Sequence, residues 1–168
     1  PNKINKYEWQ VEVGINSPKS QCCVLSGSSA DKWIQLEETD ALFIMETYGG
    51  LMRMVSELVR VKKRTRLRPV PRLVKKLAQK VQGLIPDEST SVKSKRALPF
   101  RICRQLAKSA EIVFPLSGTP FGRDPTDLWS QLYLVDGGQA LGETLTLFRE
   151  ALFTKKKNYW GGFEYTFN

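Results

Sequence analysis

The sequence predicts an α/β fold in which a mainly parallel sheet is flanked by helices. Short apolar segments alternate with helical segments along the 168 residues, which is the pattern of parallel strands joined by crossover helices. Clusters of glycine, proline and serine separate many of these segments. The hydrophobic content of 41% and the charged content of 26% are ordinary for a globular domain.

The first half of the chain contributes two predicted strands. Each is a short apolar run that stops at a turn, at Ser26-Gly27 in one case and at Gly49-Gly50 in the other. In order, we predict a helix over 3–14, a strand over 22–25, a helix over 30–38 capped by Ser29, a strand over 41–45, and a helix from 51 to about 64.

The second half repeats the alternation. Pro71 begins a predicted helix, and Pro99 is expected either near the first turn of the next one or at a kink in it. In order, we predict a helix over 71–81, a strand over 83–86, a helix over 95–107, a strand over 112–116, a helix over 124–134 capped by Asp124, a helix over 144–153, and a hairpin or loop over 155–168.

The composition excludes several kinds of site. The chain has no histidine, which excludes Ser-His-Asp and Cys-His catalysis and most zinc sites. Its three cysteines, Cys22, Cys23 and Cys103, include an adjacent pair, a poor start for a disulfide framework. We therefore expect reduced thiols in an intracellular protein. No apolar run is long enough to predict a membrane span.

The positive charge is concentrated in one segment. The net charge is +9, and ten lysines and arginines lie between Arg60 and Lys80 with no acidic residue among them. Such a segment is either a solvated face or a surface for the phosphate backbone of nucleic acid. The candidate contact residues are Arg60, Lys62, Lys63, Arg64, Arg66 and Arg68. Because no aromatic residues are interleaved, we expect salt-sensitive binding without base stacking there.

Two polar clusters come after two predicted strands, Asp87-Glu88 after the first and Ser117-Gly118-Thr119 after the second. The carboxyl ends of parallel strands meet at one edge of a sheet, where ligands bind in such folds. An acidic pair there suits nucleotide hydrolysis, because one carboxylate can hold Mg²⁺ through water while the other polarises the attacking water. The alternative for the acidic pair is a solvated turn or a helix N-cap, and the alternative for the Ser117 and Thr119 hydroxyls is a helix cap or a satisfied turn.

These clusters resemble two motifs of the Swi/Snf-type ATPases, a group of superfamily-two helicases. Asp87-Glu88-Ser89-Thr90 with Lys93 resembles motif II, and Leu116-Ser117-Gly118-Thr119-Pro120 resembles motif III. Asp127-Leu128-Trp129 and the Leu141-Gly142 turn resemble the family's segment beyond motif III, and weaker likenesses lie upstream. The resemblance spans nearly the whole chain in the family's order.

The resemblance implies a RecA-like, P-loop NTPase fold and an ATP-dependent motor that moves on duplex DNA. By that resemblance Asp87 holds Mg²⁺-ATP and Glu88 is the general base. Ser117, Gly118 and Thr119 couple the nucleotide site to DNA tracking, and Lys93 lies near the nucleic acid. Residues 1–135 correspond to a partial first motor lobe, and residues 136–168 to an extension toward a second motor lobe, the expected partner.

The chain also departs from this family. No Gly-x-x-x-x-Gly-Lys-Ser/Thr phosphate loop occurs in the 168 residues. We therefore expect an N-terminally truncated lobe, inactive alone, with an exposed sheet edge and marginal stability. The first alternative is a degenerate, non-hydrolysing lobe that binds nucleic acid or a partner. A motor of a restriction-type nuclease or modification system, and an unrelated α/β binding protein, also remain open.

Overall fold

The computed structural model describes residues 3–62, 64–120 and 124–168, with side chains from residue 6 onward. The fold is mixed α/β, as predicted, with helices and four small two-stranded sheets. The chain divides into two compact units, residues 1–74 and 75–168. The boundary between residues 135 and 136, which the family resemblance implied, stays a prediction.

The first unit contains a parallel strand pair and an antiparallel hairpin. Its elements are α1 (Lys3–Asn16), β1 (Cys22–Val24), α2 (Ser29–Glu38), β2 (Phe43–Met45), α3 (Tyr48–Met54), β3 (Ser56–Val61) and β4 (Arg64–Pro69). Strand β1 pairs in parallel with β2, as predicted for strands joined by a crossover helix. Its buried apolar side chains include Val13, Leu25, Leu36, Met54 and Val55.

One predicted helix is wrong. The segment from 51 to about 64 is helical only to Met54 and then forms β3, which pairs antiparallel with β4 through a turn at Lys62. Val59 and Val61 are β-branched, and Pro69 cannot donate a helical hydrogen bond. Residues 64–69 therefore form a strand that pairs with residues 56–61, and this pairing outweighs the helix propensity of residues 56–61.

The second unit contains the other parallel pair. After α4 (Pro71–Ala78), which spans the division, come β5 (Gly83–Leu84), a 3₁₀ helix (Ser89–Val92), α5 (Leu98–Ala107), β6 (Ile112–Val113), α6 (Asp127–Asp136), α7 (Leu145–Leu152), β7 (Phe153–Lys157) and β8 (Phe163–Phe167). Val92, Phe100, Ile102, Leu106 and Trp129 are among its most buried side chains. The tail forms a hairpin, one of the two predicted forms.

Two helix caps lie elsewhere than predicted. Helix α2 is capped by Ser28 instead of Ser29, in a reciprocal capping box with Asp31. Helix α6 begins at Asp127, one turn later than predicted. The Asp124 carboxylate accepts a hydrogen bond from the Thr126 amide at 2.9 Å, so the segment before the helix forms a turn.

Candidate functional site

Strands β5 and β6 bring the two predicted clusters together. Gly83 pairs with Ile112 and Leu84 with Val113. Beyond the strands the pairing continues, because the Leu116 amide donates to the Pro86 carbonyl at 2.9 Å and the Ser89 amide donates to the Leu116 carbonyl at 2.8 Å. The acidic pair and the Ser117–Thr119 segment therefore leave adjacent parallel strands side by side, as the spacing predicted.

The acidic pair lies on a strained backbone. Glu88 has a φ of 48°, in the left-handed region, and its side chain is exposed. For a residue with a Cβ, this conformation costs about 1–2 kcal/mol relative to the right-handed one. The Glu88 amide donates to the Asp87 carboxylate at 3.0 Å. The strain is of the kind found where a fold positions a functional side chain.

The Ser117–Thr119 segment forms a small turn of its own. The Ser117 hydroxyl accepts a hydrogen bond from the Thr119 amide at 3.2 Å. Gly118 and Thr119 are exposed, and Ser117 is half-buried. The local hydrogen bond matches the alternative predicted for this serine, a satisfied turn, and leaves the coupling role a prediction.

A buried polar chain lies behind the acidic pair, and the sequence did not predict it. The Ser89 hydroxyl donates to the Gln131 side-chain oxygen at 2.5 Å, and the Gln131 amide nitrogen donates to the Pro120 carbonyl at 2.7 Å. Ser89 is 2% exposed and Gln131 3% exposed. Two buried, satisfied polar groups hold their neighbours in one arrangement. These two hydrogen bonds therefore join the segment after Glu88, helix α6 and the end of the Ser117–Pro120 segment.

Lys93 is part of the same assembly. Its ammonium group lies 3.2 Å from the carboxylate of Asp127, at the start of α6. Lys93 is about half exposed, so this ion pair contributes little to stability. It ties the 3₁₀ helix beyond the acidic pair to the Asp-Leu-Trp segment. Trp129 of that segment is buried and donates to the Gly142 carbonyl at 2.9 Å.

The residues present suit only one mode of magnesium binding. Mg²⁺ in nucleotide sites is held by one or two carboxylates, with water and phosphate oxygens completing its shell. Asp87 offers one such carboxylate, and the described residues contain no cluster of three or more acidic or cysteine side chains that would hold a metal alone. Asp87 therefore fits a magnesium ion that arrives with a nucleotide.

The predicted nucleic-acid residues lie in the first unit, on the β3–β4 hairpin, here called the arginine ribbon (residues 56–69). Arg64, Arg66 and Arg68 occupy alternate positions of β4 and are exposed. Side chains alternate between the two faces of a strand, so these three arginines share one face. Arg60 projects on the opposite face, and Lys62 lies at the turn with a φ of 56°. Lys63 lies outside the described residues.

No protein-family model and no curated protein matches this chain. The function of the site therefore rests on its geometry and on the motif resemblance. Over the residues that the structure describes, no helix is long and apolar enough to cross a membrane.

Proposed function

We propose that this chain is part of an ATP-dependent motor that moves on duplex DNA, with the RecA-like lobe architecture of the Swi/Snf-type ATPases. The observation that carries the proposal is the juxtaposition of Asp87-Glu88 and Ser117–Thr119 beyond adjacent parallel strands. Ligands of open parallel sheets bind beyond the carboxyl ends of the strands, so the two clusters would face the same nucleotide. The second motor lobe and duplex DNA are the proposed partners.

Asp87 would hold the magnesium that accompanies ATP, and the ion would offset charge on the phosphates. Glu88, as general base, would take a proton from the water that attacks the γ-phosphorus, and ADP would leave as the β–γ bond breaks. The Ser89–Gln131–Pro120 chain supports the coupling part of the proposal, because a displacement of the segment after Glu88 would reach the segment after Thr119 through three hydrogen-bonded groups.

The decisive experiment measures ATP hydrolysis, with and without duplex DNA, by the protein whose reading frame contains this chain. We expect hydrolysis to rise with duplex DNA and Glu88→Gln to lower kcat by about 100-fold or more, the usual contribution of a general base. Glu111→Gln is the matched control, since Glu111 is exposed before the other end of β6. A Glu88→Gln variant that hydrolyses ATP at the wild-type rate would contradict the assignment.

The second candidate is a nucleic-acid-binding lobe that does not hydrolyse ATP. The arginine ribbon favours it, because a two-stranded ribbon fits the major groove of DNA and three arginines on one face can meet phosphates. A reading frame with no phosphate loop and no hydrolysis would favour this candidate over the motor.

A further inference from the structure

The β7–β8 hairpin presents two aromatic side chains to solvent at its tip. Tyr159 is 93% exposed and Trp160 is 89% exposed, the highest exposures among the large apolar and aromatic side chains described. Their rings contact each other edge to face, with centroids 5.3 Å apart. Neither ring is buried in a core within the described residues. Such exposure is costly to solubility and is typical of a contact surface.

The tip is a closed turn rather than a loose loop. The Asn158 amide donates to the Gly162 carbonyl at 3.0 Å, and the Asn158 side-chain oxygen accepts from the Gly162 amide at 2.7 Å. Gly161 takes a φ of 83°, which a glycine adopts without strain. The backbone therefore holds both rings outward, and binding to them orders few additional groups.

Cations and aromatic rings alternate behind the tip. Lys155 pairs with Tyr165 and Lys157 with Phe163 across the hairpin, so these four residues share one face. The Lys155 ammonium lies 3.8 Å from the centroid of the Phe163 ring. Lysines 155, 156 and 157 are exposed, and Glu164 is the hairpin's one acidic residue. The charge of this surface matches a polyanion.

We propose that the tip of the β7–β8 hairpin binds unpaired bases of single-stranded nucleic acid. Trp160 and Tyr159 would stack on the bases, and Lys155 and Lys157 would meet the backbone phosphates. Proteins that bind single strands combine aromatic stacking platforms with a cationic path in this way. The paired bases of a duplex are already stacked on each other, so the tip discriminates against duplex. A protein surface could use the rings but has no general need of the lysines.

The test measures the affinity of this chain for a short labelled oligothymidylate and for a duplex of equal length. Trp160→Ala should weaken binding of the single strand by about fivefold or more, the usual effect of removing one stacking ring. Trp160→Phe, which keeps an aromatic face, should retain most of the affinity. Binding should quench tryptophan emission in the wild type, and that quenching should disappear in Trp160→Phe.

Tyr159→Ala should also weaken binding of the single strand, and Tyr7→Ala is its matched control, because Tyr7 is an exposed tyrosine on α1. Unchanged affinity of Trp160→Ala for the oligothymidylate would overturn the proposal and leave the tip as a surface for protein. Equal weakening of duplex binding would also overturn it, because base stacking would then not be the contact. The assay contains no ATP, so its failure leaves the motor proposal standing, and inactivity of the motor leaves this one standing.

Discussion

Three charged side chains lie together beyond the carboxyl ends of β1 and β2. The Lys6 ammonium donates to the Leu25 carbonyl at 2.6 Å and lies 3.3 Å from the Glu46 carboxylate, and Lys32 lies 2.5 Å from the same carboxylate. All three side chains are about nine-tenths buried. Glu46 also accepts from the Thr47 amide at 2.7 Å, which joins the cluster to the start of α3. A single carboxylate thus neutralises two buried cations in part.

Removing that carboxylate's charge should destabilise the first unit. Glu46→Gln leaves Lys6 and Lys32 buried without their counter-charge, and breaking a buried ion pair in this way costs about 3 kcal/mol or more. Urea unfolding monitored by circular dichroism measures the loss. Glu38→Gln, at an exposed glutamate, should change the free energy of unfolding by less than about 0.5 kcal/mol. Equal stability of the two variants would show that solvent already screens the cluster.

The arginine ribbon shows where local sequence stops predicting an element. The apolar residues of the segment predicted as a helix have the spacing of a helix face, at Leu51, Met54, Val55, Leu58 and Val59. The next segment decides the outcome, since its arginines alternate with Thr65 and Leu67. A strand is stable only when it is paired, so the hairpin cannot be predicted from either segment taken alone.

The face of the ribbon that carries Arg64, Arg66 and Arg68 should supply phosphate contacts. Alternate residues of a strand are about 6.6 Å apart, close to the axial rise of about 6.8 Å over two phosphates of one DNA strand. The slope of log K against log salt is negative for duplex DNA. Changing all three arginines to Gln should make it shallower by about 2.7, which corresponds to three lost phosphate contacts. Filter binding or anisotropy over a salt series measures that slope.

The matched control removes the same charge from the same basic segment. Arg72, Lys75 and Lys76 are exposed on α4, and changing these three to Gln removes three positive charges without touching the ribbon. We expect a clearly smaller change of slope from this variant. Equal changes from both variants would mean that the segment acts through its net charge alone, and the ribbon would lose its assigned role.

At the scale of the molecule, the alternation of short strands and helices predicted the α/β class and both parallel pairs. The Asp87-Glu88 and Ser117–Thr119 clusters were predicted to meet, because the carboxyl ends of neighbouring parallel strands must lie at one edge. The buried position of Gln131 was not predicted, because the sequence of a helix does not distinguish a buried glutamine from an exposed one. Its hydrogen bond with Ser89 appears only in the structure. The observed N-termini of helices α2 and α6 differ from the predicted ones by one turn or less, because several neighbouring polar residues could each cap the helix.

Apolar side chains in and beside the small parallel pairs are exposed to water. Leu42 is 70% exposed, Ile112 66% and Phe114 60%, and all three lie in or beside the paired strands. The native chain should therefore bind an anilinonaphthalene sulfonate dye and aggregate with rising concentration. Ile112→Thr with Phe114→Thr should reduce the dye fluorescence and the light scattering, because threonine keeps strand propensity while removing apolar surface.

Both residues are exposed, so the free energy of unfolding should change by only about 0.5 kcal/mol at each position. If the variant binds the dye as strongly as the wild type, the dye binds an apolar surface elsewhere on the chain. A large loss of stability would mean that these side chains are packed in solution.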